Sequence, residues 1–222
     1  MKLLLTSAGL RNQTLLHALD DMLGKPVAWS NVVYVPTASF AEPGDHGWLV
    51  AGMHDLHEMG WRRFDILELN GLPRQMVLGR LLDADVIYVD GGSHYHLARS
   101  ITGNGLAGGL LDALEDRVYV GVSAGSMIFS RNLDERSAAV LGDAADLHVL
   151  GATTLDPPLG VFDWYLKPHL YSPGFPERTD AWADRIAAAA DFPIYFIDDD
   201  TAIRVDGDKT DVVSEGRWRF HP

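Results

Sequence analysis

The chain of 222 residues carries 18 Lys and Arg against 31 Asp and Glu, a formal charge of −13, with 47% hydrophobic residues and no cysteine. That length suits one α/β domain spanning 1–222 with a full core. The negative balance argues against nucleic acid and anionic membrane as partners, and the missing thiols exclude disulfides, cysteine nucleophiles and thiolate metal sites.

In chain order, apolar runs alternate with helical patterns, the sign of a mostly parallel central sheet with helices on both faces. Leu3–Ser7 predicts a strand, and Asn12 caps a helix that aligns Leu15, Leu16, Leu19 and Leu23. The opening apolar run is too short for a secretory segment, and no later run reaches membrane-spanning length, so the expected compartment is the cytoplasm. Asn31–Val35 is a second strand, stopped by Pro36; Trp48–Met59 is a helix closed by Gly60; Phe64–Leu69 is a third strand. Gln75–Leu82 reads as a helix, Asp85–Val89 as a strand running into Asp90-Gly91-Gly92-Ser93, and His94–Ile101 and Leu106–Leu114 as helices. Between Asn132 and Thr154 the pattern gives only one short strand, Leu147–Leu150. Trp182–Ala190 is a helix, Pro193–Ile197 a strand ending in three aspartates, and Ala202–Val205 and Thr210–Val213 are strands parted by Gly207.

The chemistry concentrates after the strand Val118–Val122. Gly121-Val122-Ser123-Ala124-Gly125 leads straight into the helix start Ser126-Met127-Ile128, the strand–Gly-x-Ser-x-Gly–helix order of a nucleophile elbow. A serine needs a base to take its proton. Among nine histidines, His169 is best placed, following an apolar stretch and Pro168. The best carboxylates stand at a strand end in Asp198-Asp199-Asp200, and the carboxyl ends of parallel strands share one edge. The N–H of Ala124 and one from Gly91 or Gly92, chosen as Gly92, would form the oxyanion hole. His94 and His96 diverge on a helix, so no metal is expected. His221 satisfies the α/β-hydrolase order of serine, acid, histidine and is the alternative base of an esterase; a catalytically inactive ligand-binding relative is the non-enzymatic alternative.

Nearly the whole chain resembles the peptidase E (aspartyl dipeptidase) and cyanophycinase family of serine peptidases. The anchors are Tyr88-Val89-Asp90-Gly91-Gly92, Gly121–Ser126, Pro168-His169 and Ile197-Asp198-Asp199-Asp200-Thr201-Ala202. The resemblance implies a fold like the class I glutamine amidotransferases, whose elbow cysteine is absent here. It also implies a cofactor-free Ser-His-acid peptidase acting on short peptides. Ser123 maps to the nucleophile, His169 to the base and Asp199 to the acid of the cyanophycinase branch, with Asp198 or Asp200 as substitutes and Asp134 as the aspartyl-dipeptidase counterpart. Where the family continues Gly-Gly-Asn-Thr, this chain has Ser93 and His94, which inherit a substrate-binding position. Arg178 is the candidate for the family's carboxylate-binding arginine, although an ungapped match from Arg185 puts Trp182 there. Preference for an N-terminal aspartate is therefore not implied. Relatives occur as monomers and dimers, so a homodimer stays open.

Overall fold

The computed structural model describes residues 1–151 and 155–222. Five parallel strands, β1 (Lys2–Thr6), β2 (Asn31–Val35), β3 (Arg63–Ile66), β4 (Val86–Val89) and β5 (Val118–Val122), build most of the main sheet. Its spatial order is β3-β2-β4-β5-β1-β8-β9. The hairpin β8 (Thr201–Asp206) and β9 (Lys209–Ser214) joins antiparallel at the β1 edge, with Leu4 opposite Arg204. A second sheet, β10-β7-β6, sets β6 (Tyr165–Lys167) parallel to β7 (Ile194–Ile197) and β10 (Trp218–His221) antiparallel to β7.

Strand alternation sorts the core onto two faces. Leu3, Leu5, Val33, Val35, Ile87 and Tyr119 face one side. There they meet α3 (Arg74–Leu82), α4 (His94–Gly103) and α5 (Ala107–Ala113) through Leu81, Leu97, Ile101 and Leu110. Leu4, Val32, Tyr34, Val86, Tyr88 and Val120 face the other, under α1 (Gln13–Leu23) and α2 (Gly47–Glu58). Leu15 and Leu19 of α1 are fully buried there, and each such side chain contributes about 1.5–3 kcal/mol. The helix begins where the Asn12 side chain accepts the Leu15 N–H, as the cap residue predicts.

The segment between Asn132 and Lys167 departs from the sequence reading. Leu147–Leu150 is not a strand: α8 covers Ala144–Val149, after α7 (Glu135–Leu141). Its apolar residues bury one flank, with Leu147 covered and Val149 exposed, a helical division that a four-residue apolar run does not reveal. Residues 152–154, the end of the stretch from Asn132 to Thr154, lie outside the described residues. The sequence reading also left β6 and β10, hence the second sheet, unassigned. That sheet packs Tyr165, Ile194 and Phe196 against Leu141 of α7 and Trp182 and Ile186 of α9 (Asp180–Ala189).

Candidate active site

Three neighbouring strands deliver the site at their carboxyl ends: β4 leads to Gly91-Gly92, β5 to Ser123 and β1 to Ser7. Ser123 has φ 46° and ψ −106°, one of three non-glycine residues with positive φ among the described residues, and α6 (Ala124–Met127) begins directly after it. Such backbone strain persists only where the surroundings enforce it. Here the Ser123 N–H donates to Thr6 O at 3.1 Å, and the Ser123 carbonyl accepts from Ser126 and Met127 N–H at 2.9 and 3.1 Å. The glycines are sterically required. A Cβ on Gly121 would stand 2.8 Å from the Gly125 backbone, and one on Gly125 would collide with the Val89 carbonyl oxygen.

His169 arrives just past β6, with φ 65°. Its Nε2 lies 3.0 Å from Ser123 Oγ and its Nδ1 lies 2.7 Å from Asp199 Oδ1. The acid is held on both oxygens: Ser7 Oγ donates to Oδ1 at 3.0 Å and Ser172 Oγ to Oδ2 at 2.6 Å. Ser7 Oγ also accepts the His169 backbone N–H at 2.8 Å. Burial works against the charge of Asp199, yet the hydrogen bonds from His169, Ser172 and Ser7 outweigh it and hold its carboxyl down to about 2. Asp199 is therefore an anion throughout the neutral range. Phe175 stacks on the His169 ring, the two ring centres 4.7 Å apart.

The glycine turn stands directly opposite. A Cβ on Gly91 would lie 3.5 Å from Ser123 Cβ, and one on Gly92, whose φ is 126°, would stand 2.6 Å from Ser39 N. Gly91 N–H is already committed, donating to Asp90 Oδ1 at 2.7 Å. Asp90 is buried and also accepts from the Tyr34 hydroxyl; burial raises its pKa against both hydrogen bonds. The N–H groups of Gly92 and Ala124 make no hydrogen bond outside secondary structure among the described residues.

The other candidates have partners of their own. Ser93 Oγ caps α4 by accepting the His96 N–H, and His94 is buried with Nε2 3.4 Å from the Tyr165 hydroxyl. Burial pushes His94 down to about 4. Arg178 donates to Pro168 O at 3.0 Å and lies 3.9 Å over the Phe175 ring, its pKa lowered by burial. Asp198 accepts from Thr201 Oγ1 and from the Asp200 and Arg217 N–H groups, so it shapes the turn. Asp134 caps α7. His221 pairs with Ile194, at the end of β7 opposite the one that leads to Asp199.

Residues 3–213 match the family model described as Peptidase family S51. The chain belongs to peptidase family S51. That makes it a serine-type peptidase, a hydrolase of peptide bonds. It is 26% identical over 180 residues to an uncharacterized peptidase of Pasteurella multocida, covering 80% of this chain and 82% of that one. It is 26% identical over 198 residues to peptidase E of Streptomyces coelicolor, covering 87% and 75%. A crystal structure from Listeria monocytogenes, provisionally assigned as peptidase E, superposes with TM-score 0.77 at 22% identity over 97% of this chain and 98% of that one. A peptidase from an acI-B1 actinobacterium gives 0.68 at 18% identity over 99% and 90%. Both share the fold of this S51 chain, the class I glutamine amidotransferase-like arrangement. No helix among the described residues is long and apolar enough to cross a membrane.

Within this S51 site, sequence reasoning missed Ser7, Ser172 and the Tyr34–Asp90 pair. Ser7 was reachable, since it closes a buried strand at the edge where such sheets build their sites. Ser172 and Tyr34 carried no local signal.

Proposed function

We propose that this S51 peptidase hydrolyses short peptides through Ser123, His169 and Asp199. The observation that carries the reading is the continuous path from Ser123 Oγ through His169 Nε2 and Nδ1 to an ionised Asp199. Ser123 Oγ attacks the scissile carbonyl carbon as Nε2 takes its proton. Ala124 and Gly92 N–H groups bind the developing oxyanion. The tetrahedral intermediate collapses, the C–N bond breaks, and the imidazolium gives its proton to the leaving amine. Water then adds to the acyl-enzyme as Nε2 takes one of its protons, and that proton returns to Ser123 when the acid leaves. Asp199 keeps the Nδ1 proton in place and stabilises the imidazolium without taking the proton itself.

Replacing Ser123 by Ala is expected to lower kcat by at least about 10⁴-fold with an unchanged melting temperature, and to abolish labelling by a fluorophosphonate probe. Retained turnover in Ser123→Ala would remove the proposal. A small peptide substrate and no cofactor are the corresponding expectations.

A further inference from the structure

One cleft is not used by the triad. It has a volume of about 370 Å³ and lies between the loop after β1 and helix α2. Leu16, Leu56, Met59 and the Tyr88 ring line it, and Arg11 and Asp55 flank it. The volume falls within the range of small-ligand sites.

Two observations join this cleft to the nucleophile. Trp48, in the first turn of α2, stands 3.9 Å from where a Gly91 Cβ would be, and Gly91 itself abuts Ser123. Trp48, Gly52, Asp55 and the capping Met59 then fall on one stripe, spaced by three or four residues, so a row of about 16 Å at 1.5 Å per residue leads from Trp48, beside Gly91, to the cleft-lining Gly52, Asp55 and Met59. On the opposite wall, Gly9 approaches Val122, the residue before the nucleophile, with its built Cβ 3.9 Å from Val122 Cγ2. Arg11 is within 3.4 Å of Asp199, so its charge is already matched.

Gly52 is the informative residue. It lies mid-helix, where glycine weakens a helix relative to alanine. A Cβ there would meet nothing within 4 Å. Packing of its own helix therefore does not require a glycine; the open space belongs to the cleft.

We infer that this cleft is a substrate subsite that takes an apolar side chain of a residue flanking the scissile bond, with Gly52 setting its depth. The inference rests on the peptidase reading above. The lining is more apolar than polar, and the two charges at the flanks have opposite sign, so a neutral, bulky side chain matches it better than an acidic or basic one.

The test compares wild type, Gly52→Ala and Gly52→Leu on dipeptides carrying Gly, Ala, Leu, Phe, Lys or Asp on either side of the bond. Labelling by a small fluorophosphonate reports the state of Ser123, and thermal melts report the fold. On one side of the bond, wild type is expected to prefer Leu or Phe over Gly by about tenfold or more in kcat/KM. Gly52→Ala should erode that preference and Gly52→Leu should remove it, through KM. Turnover of the Gly peptide, probe labelling and melting temperature should hold or, for the melt, rise. An unchanged preference in Gly52→Leu, a uniform loss across the panel, or no apolar preference in wild type overturns the subsite. No turnover of any peptide by wild type removes the peptidase reading instead.

Discussion

Ser123 and His169, the proposed nucleophile and base, stand 3.0 Å apart, yet they are held by different means. Ser123 is fixed by main chain: a buried strand, two glycines pressed against backbone, and carbonyls that absorb the turn's N–H groups. His169 is fixed by side chains reaching over long sequence distances: Ser7, Asp199 and, one residue before Pro168, the buried Lys167 paired with Asp143 at 2.6 Å. A serine placed by backbone tolerates changes in its neighbours' side chains, whereas a histidine placed by hydrogen bonds and a buried ion pair depends on each partner.

The contrast can be broken from the base side first. Lys167 is 1% exposed and its amine has both Asp143 oxygens as partners. Lys167→Met leaves that carboxylate buried alone and should cost about 3–5 kcal/mol in urea unfolding, and pairing it with Asp143→Leu should recover much of the loss. On the nucleophile side, Gly125→Ala drives a methyl into the Val89 carbonyl and should cost about 3 kcal/mol, measured the same way. A loss below about 1 kcal/mol would show that the elbow yields more readily than its contacts imply.

His94 sharpens the comparison through pH. Its folded pKa, down to about 4, lies below the unfolded value near 6.5. Between those values the unfolded chain binds the extra proton, so stability falls as pH drops from about 6.5 to about 4. The loss at pH 5 is about 2 kcal/mol. His94→Gln should flatten the stability–pH curve across that window while leaving the pH 7.5 midpoint less affected; an unchanged slope would show that burial does not hold the ring neutral. The smallest expected effect is local to the acid. Ser172→Ala removes one charge-assisted hydrogen bond from Asp199 and should reduce kcat about tenfold, with little change in KM or melting temperature.

What could be read from the residues follows the same division. The elbow was legible because a strand, a turn and a helix start occupy one continuous stretch, and the five parallel strands were legible from their apolar runs. His169 stood out by its place after an apolar stretch and Pro168, and the choice of Asp199 came with the family resemblance; spacing alone left three adjacent aspartates open, and only the fold separates them, giving Asp198 to its turn and Asp199 to the imidazole. The second sheet escaped because β6 is three residues long and its partner comes about thirty positions later. Leu147–Leu150 was misread because four apolar positions do not distinguish period 2 from period 3.6.

Ser7 carries one more implication. Its hydroxyl receives the main chain of the histidine and supplies the aspartate, so both are moored to the end of a central strand as well as to the loop around them. A swing of the 170–180 loop would take away the Ser172 bond and the Phe175 stack but leave the Ser7 mooring in place. That stretch can accordingly be recast to suit new peptides only where Ser172 keeps its bond to the carboxylate.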